Sequence, residues 1–336
     1  MKEVISDRKE RKAKKERVAV SKKYEHTLGL LESKEAELEA ALSLGEADHT
    51  FAIKPSKGSG TSEATVVVLL SDWHVEEEVK LSQTNGKNKY NLDIAKHRAT
   101  QVFQRIVRLI AKERQDVHIS ELVVWLGGDM ISGNIHEDIV MSCLLRPIDA
   151  IIYAQELLES GLTFLQNQLK GIHITAVCSS GNHGRLTAKQ MHANEQGNSL
   201  EYFMYHILRQ RLPEISWVIS DSYLTYIEIY GKYHRFHHGH NVRYAGGVGG
   251  LTIPLNKATA QWDKTQKAEW SSMGHFHEYT PSRRGVVNGS LIGFNAYAVA
   301  IKAAYEPPMQ SFYLIDRTRG LSVMMPILPD ITTERR

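Results

Sequence analysis

Val66-Val67-Val68-Leu69-Leu70, followed at once by Ser71-Asp72-Trp73-His74, is the stretch from which the rest of the chain can be read. Five consecutive apolar residues, the first three β-branched, suit a short strand buried on both faces. A carboxylate and an imidazole then arrive where that strand must end. The pattern recurs. Residues 122–126 run into Gly127-Gly128-Asp129, and residues 172–178 into Ser179-Ser180-Gly181-Asn182-His183. Residues 233–236 lead to His237-His238-Gly239-His240, and residues 270–273 to Gly274-His275-Phe276-His277. Crevices at the carboxyl ends of strands are where α/β proteins bind ligands. Glycine beside each polar residue allows close backbone approach. Taken singly, each is an ordinary strand-to-loop turn. Five in succession, all carrying carboxylate, carboxamide or imidazole, describe one site.

Between these strands lie amphipathic stretches that read as helices, at 94–112, 148–169 and 200–211. A further strand is expected at 217–219. After residue 220 the texture turns β-rich. Residues 224–230 and 233–238 flank Gly231-Lys232, a two-residue hairpin signal, and strands are expected at 285–289, 312–316 and 321–325. An α/β first half with a β-rich second half implies two packed sheets flanked by helices. Upstream, residues 1–50 read as helix, rich in Lys, Glu, Ala and Leu and free of Pro. Tyr24, Leu28, Leu31, Leu38 and Leu42 recur at three- and four-residue spacing, with Glu35 interrupting, so the segment is a short coiled coil, giving a homo-oligomer, or a docking helix. Residues 51–63, around Pro55-Ser56-Lys57-Gly58-Ser59-Gly60, have the composition of a flexible linker. Residues 64–336 form the main domain.

The 336 residues suffice for one large core with an appendage, and 42% apolar and 24% charged residues are ordinary for a globular protein. The net charge of +3 selects no partner, but its distribution is uneven. Residues 1–23 carry ten Lys/Arg against four Asp/Glu, and residues 24–50 one Lys against seven Asp/Glu. The basic block is either a nucleic-acid contact or a solvated face. No run reaches the ~20 apolar residues of a membrane span, and the charged N-terminus lacks a signal peptide's apolar centre. A cytoplasmic protein without membrane contact is expected. Cys143 and Cys178 lie in apolar surroundings and read as core thiols, not as a disulfide framework.

The order and types of the five motifs resemble the calcineurin-like metallophosphoesterases, from about Val66 to His277. Residues 133–136 look like phage-encoded members, and the likeness extends more distantly to the family's DNA-repair nucleases. The resemblance implies an α/β fold of two mixed β-sheets sandwiched between helices, four layers in all, with an N-terminal helical extension outside it. It implies two divalent metal ions, manganese first, with iron or zinc as alternatives. One would be held by Asp72, His74, Asp129 and His277, the other by Asp129, Asn182, His238 and His275, with Asp129 bridging. Strand alternation puts His238 and His240 on one face, so both are open as ligands; family usage favours His238. Nitrogen and oxygen donors without thiolate suit such ions. Two of them would outweigh the charges of Asp72 and Asp129, attract phosphate and lower the pKa of a bound water. His183, beside Asn182, is implied as the general acid, or else as a phosphate hydrogen-bond donor.

The chain departs from the family in two places. Gly184 and Arg185 follow His183 where Asp or Glu is usual, and Ser132 stands where many members place an Asp that orients the catalytic His. Asn134, His136 or a backbone carbonyl is then left to orient His183. Arg185 either binds a phosphate oxygen or is a solvated loop residue, and Asn134 and His240 join it as expected substrate contacts. Arg243-Tyr244-Ala245-Gly246-Gly247-Val248-Gly249-Gly250 leads to Thr252 and Pro254, which read as a helix start. That turn is a phosphate cradle or a plain tight loop. The expected activity is phosphate-ester hydrolysis, on nucleic acid as a nuclease or phosphodiesterase. Phosphomonoesters and nucleotide pyrophosphates are the alternative substrates, and an inactive scaffold on the same fold the alternative class.

Overall fold

The computed structural model describes residues 2–45, 62–135, 137–244 and 250–329, with residues 2–7 and 40–45 described as backbone only. The expected linker up to residue 61, His136 and residues 245–249 of the glycine-rich turn lie outside the described residues. The chain divides into two units, Met1–Lys57 and Gly58–Arg336. The first holds α1 (Lys2–Gly45), a single helix of 44 residues. Tyr24, Leu28, Leu31 and Leu38 of its stripe are exposed.

The second unit runs β1 (Glu63–Leu70), α2 (Leu92–Glu113), β2 (His118–Leu126), α3 (Glu137–Val140), α4 (Pro147–Gln168), β3 (His173–Cys178), α5 (Leu200–Arg211), β4 (Ser216–Ile219), β5 (Thr225–Ile229), β6 (Lys232–Phe236), α6 (Thr252–Trp262), β7 (Trp270–Met273), β8 (Thr280–Pro281), β9 (Gly285–Val287), α7 (Ala296–Ala300), β10 (Gln310–Asp316) and β11 (Gly320–Ile327). One sheet has the order β11-β10-β1-β2-β3-β4, the other β5-β6-β7-β9-β8. Both are mixed. In the first, β1, β2, β3 and β4 are parallel while β10 and β11 join antiparallel. In the second, β6, β7 and β9 are parallel, with antiparallel edges.

Alternation along β1 shows how the layers stack. Val66, Val68 and Leu70 face a core shared with α2, α4 and α5. Val67 and Leu69 face the opposite way, toward Phe236, Trp270 and Val286 of the second sheet. Beyond that sheet, Leu255 of α6 packs on Met273 and Val287. The result is helix, sheet, sheet, helix, the four-layer α/β arrangement expected. Burying each large aliphatic side chain on β1 contributes about 1.5–3 kcal/mol, which fixes the register and hence where Asp72 and His74 emerge.

The helices follow their sequence signals. Ala95, Ala99, Val102, Ile106 and Ile110 make the buried stripe of α2, whose first turn is capped by the Asn91 side chain accepting from the Ile94 N–H. Pro147 opens α4 at a position where its missing N–H costs nothing. Two local readings shift by one residue. The β5–β6 turn is Tyr230-Gly231, not Gly231-Lys232, and both take positive φ, at 50° and 77°. That is the handedness a two-residue hairpin turn needs. Likewise α6 is preceded by Leu251, with no side-chain cap, and Thr252 is already helical.

Candidate metal centre

All five expected loops meet at one end of the two sheets. Asp72, His74 and His277 bring one possible ligand atom each within 4.8 Å of one another, and Asp129, His238 and His275 do the same. In the first group His74 Nε2 lies 3.2 Å from His277 Nε2, and His277 Nε2 lies 3.5 Å from an Asp72 oxygen. In the second, His238 Nε2 is 2.9 Å from an Asp129 oxygen. Imidazole nitrogens and carboxylate oxygens brought this close in two groups are the atoms that a divalent ion takes as ligands.

The imidazoles are aimed. His74 Nδ1 is 3.0 Å from Ser132 Oγ, which donates to Glu77 at 3.3 Å, and Asn295 holds the other Glu77 oxygen at 3.0 Å. His238 Nδ1 donates to the Gly127 carbonyl at 2.7 Å. With Nδ1 engaged in both, each Nε2 is the nitrogen turned toward its cluster, the arrangement that fixes a ligating histidine. Burial, helped by His183 and His277, holds His74 well below the usual imidazole range, and burial with His238 does the same for His275. Burial also opposes charge on His238, but the Asp129 carboxylate outweighs it and pushes His238 up to about 10. Asp129 answers in kind: burial resists its charge, and His238 and His183 hold it well below the carboxylate range. The Asp129 charge acts also on His74 and His277 of the first group.

Backbone geometry marks the same residues. Eight non-glycine residues among those described have positive φ, and five of them are Asp72, His74, Asp129, His275 and His277. Each such conformation costs roughly 1–3 kcal/mol and persists only where the surroundings enforce it. Glycine supplies the enforcement at two points. A side chain at Gly181 would overlap the Asp129 carboxylate, and one at Gly274 would overlap that of Asp72.

The resemblance made Asn182 a ligand, and its Oδ1 is buried without a hydrogen-bond partner. A buried carboxamide oxygen with no hydrogen-bond partner is costly unless something electropositive takes it. The donor set of imidazole, carboxylate and carboxamide therefore fits a divalent ion. His240, the rival of His238, turns away: its Nε2 lies 2.9 Å from Glu195 Oε1, so it is a neighbour of the second group, not a member.

His183 is oriented by a backbone carbonyl. Its Nδ1 lies 3.0 Å from the Ser132 oxygen, its own N–H donates to Asp129 Oδ1 at 2.8 Å, and its Nε2 stands 4.0 Å from Asp129 Oδ2. Ser132 thus supports two histidines at once, Oγ for His74 and carbonyl for His183. Arg185 is held partly by its own loop. Its Nε donates to the Thr187 carbonyl at 3.1 Å and its guanidinium to those of Asn182 and Ala188 at 2.9 and 3.5 Å. Three of the five N–H donors of its fork are thereby engaged in shaping the loop behind Asn182 and His183.

Three buried acids gave no sequence signal. Glu76 accepts the N–H groups of Ser132 and Gly133 at 2.8 and 3.0 Å, and burial pushes it up to about 7. Glu77 has just been placed. Glu201, fully buried on the first turn of α5, accepts Met130 N–H at 2.6 Å and Gly181 N–H at 2.7 Å. It ties the Asp129 loop to the Asn182 loop. A glutamate in a first helical turn, or in the run Glu76-Glu77-Glu78, reads from sequence as a solvated charge.

No family model matches the chain, and no curated protein matches it. Solved structures similar to it include a hypothetical protein of Pyrococcus horikoshii, at 13% identity and TM-score 0.38, covering 80% of this chain and 90% of that one. A conserved uncharacterized protein of Streptococcus pneumoniae, described as a predicted phosphoesterase, has 10% identity and TM-score 0.30 over 78% of this chain and 98% of that one. Vps29 of Entamoeba histolytica, complexed with zinc, has 12% identity and TM-score 0.30 over 78% and 99%. At such distances the chemistry has to be read from this chain's own residues. Among those described, no helix is long and apolar enough to cross a membrane.

Proposed function

We propose that this protein is a metal-dependent phosphodiesterase that hydrolyses nucleic acid. The observation that carries the reading is the coincidence of strain and chemistry: five residues in a costly left-handed backbone are members of the two clusters. Stability is given up where ligand atoms must converge, which is how functional sites behave. The basic block in residues 1–23 supports nucleic acid over a small ester.

Asp72, His74 and His277 would hold one ion, and Asn182, His238 and His275 the other, with Asp129 shared between them. Two divalent ions there, manganese first among the candidates, would neutralise phosphate oxygens and make a bound water acidic. The chain's own residues supply the rest. As the water oxygen bonds to phosphorus, the bond to the leaving oxygen breaks. The water's proton passes to solvent, and His183 Nε2 gives a proton to the leaving oxygen. Nδ1 faces the Ser132 carbonyl at 3.0 Å, so the proton is assigned to Nε2, on the side of Asp129.

The test is one panel with Mn²⁺: single-stranded DNA, duplex DNA, RNA and bis(p-nitrophenyl) phosphate, each with wild type and Asp129→Ala, together with elemental analysis. Turnover of a nucleic acid by wild type, and loss of both turnover and bound metal in the variant, is the expected result. Wild-type metal content in Asp129→Ala would refute the shared carboxylate. No bound metal and no hydrolysis in wild type would leave a binding protein on this fold as the better reading.

A further inference from the structure

Beside the candidate metal centre lies a cavity of about 470 Å³ that none of the seven proposed ligands lines. His183 is the residue common to both. Its lining includes Arg146 and Ile148 at the start of α4, Arg185 and Leu186 from the loop after β3, and Asn134. Ile148 and Leu186 are 58% and 65% exposed, a poor place for large aliphatic side chains unless something covers them.

We infer that this cavity is the leaving-group subsite, and that it takes a nucleotide whose sugar and base lie against Ile148 and Leu186 while its next phosphate meets Arg146 and Arg185. The inference rests on the phosphodiesterase reading above. It follows from where His183 stands. A phosphoryl group at the two clusters meets the His183 ring on the cluster side, and the group it leaves from extends past that ring. Its volume lies within the usual range of ligand pockets and is more than a small alcohol needs. Charge narrows the class. Arg146 pairs through Nε with Asp149 at 2.8 Å, leaving its terminal nitrogens outside that bond on a side chain 87% exposed. Arg185 has two of its five N–H donors outside its bonds to loop carbonyls. Two guanidinium groups against one carboxylate leave the wall positive, so an anionic leaving group is preferred over a neutral one.

The experiment uses the full chain and the dinucleotide pTpT as probe, in two arms. In the binding arm, with no metal added, Arg146→Ala and Leu186→Trp should each weaken pTpT binding by roughly tenfold, the worth of one charge-assisted hydrogen bond or of a filled pocket. In the kinetic arm, with Mn²⁺, both variants should lower the ratio of kcat/KM for pTpT to that for bis(p-nitrophenyl) phosphate by a similar factor. Binding and ratio within twofold of wild type in both variants would overturn the proposal, as would equal losses on both substrates. If wild type hydrolyses neither substrate yet binds pTpT, and the variants lose that binding, the cavity stands as a nucleotide site while the phosphodiesterase reading, and with it the leaving-group role, is overturned.

Discussion

Glu201→Gln probes whether the loops of the candidate centre are tied by a charge or by a neutral acid. Burial, reinforced by the Asp129 charge, pushes the Glu201 carboxyl from an ordinary 4.5 up to about 8. A carboxyl whose pKa is higher folded than unfolded stabilises the fold when protonated. That contribution is complete below about pH 4.5 and is lost as pH rises through about 8. At about 1.4 kcal/mol per pH unit, the whole span is worth roughly 5 kcal/mol and the part lost by pH 7 roughly 3. Glutamine has no such titration. It has one acceptor oxygen where Glu201 uses two, for Met130 N–H and Gly181 N–H, so one buried donor goes unpaired at about 1–3 kcal/mol. At pH 5 both side chains are neutral in the fold, and the variant should be less stable by that amount. Between pH 5 and 8 the deficit should shrink and then reverse. Urea denaturation of both proteins at pH 5, 6, 7 and 8 with a chelator present measures it, and taking the difference cancels the other titrating groups. A difference that stays constant across this range would refute the reasoning. It would mean that the two short N–H bonds keep Glu201 ionised throughout.

Two further outcomes are expected. His183→Asn should retain both metals yet slow natural phosphodiesters by roughly 10²–10⁴, the usual worth of a general acid, while a nitrophenyl ester, whose leaving group needs no proton, slows far less; equal slowing would make His183 a phosphate-positioning residue. Removing residues 1–57 should leave the unfolding transition of the second unit and its metal content intact while lowering affinity for nucleic acid, the oligomeric state, or both; a truncated chain that fails to fold would place α1 in the core.

The fold was legible because burial on both faces of β1, β2 and β3 forces short unbroken apolar runs, and such runs have few other readings. The ligand candidates were legible because carboxylates and imidazoles directly after those runs have nowhere to go but the sheet edge. Supporting residues were not. Ser132 looked like a missing aspartate, yet its hydroxyl and its carbonyl serve His74 and His183 separately, a division of labour between side chain and backbone that no residue type announces. Arg185 read as an anion site or a solvated loop residue, and its tie to its own loop gave no signal. Three of its donors go to carbonyls of that loop, a choice of partner that depends on how the loop folds back. His238 and His240 share a strand face and could not be separated by alternation. What separates them is Glu195, from a loop more than 40 residues away in sequence, which claims His240.

The strained backbone and the buried acids are two sides of one arrangement. Left-handed conformations at Asp72, His74, Asp129, His275 and His277 point their N–H groups and carbonyls out of the sheet ladders, so partners must come from elsewhere. Asp72 accepts the His275 N–H at 3.0 Å, Asp129 accepts that of His183, and Glu76 and Glu201 accept four more from the segments after β2 and β3. Each carboxylate therefore anchors the backbone of a loop other than its own. The clusters cannot loosen one residue at a time: shifting the Asp129 loop would break bonds to β3's loop, to α5 and to the segment after β1 together. That interdependence holds the imidazole nitrogens and carboxylate oxygens 2.9–3.5 Å apart, close enough for one cation to take several of them at once.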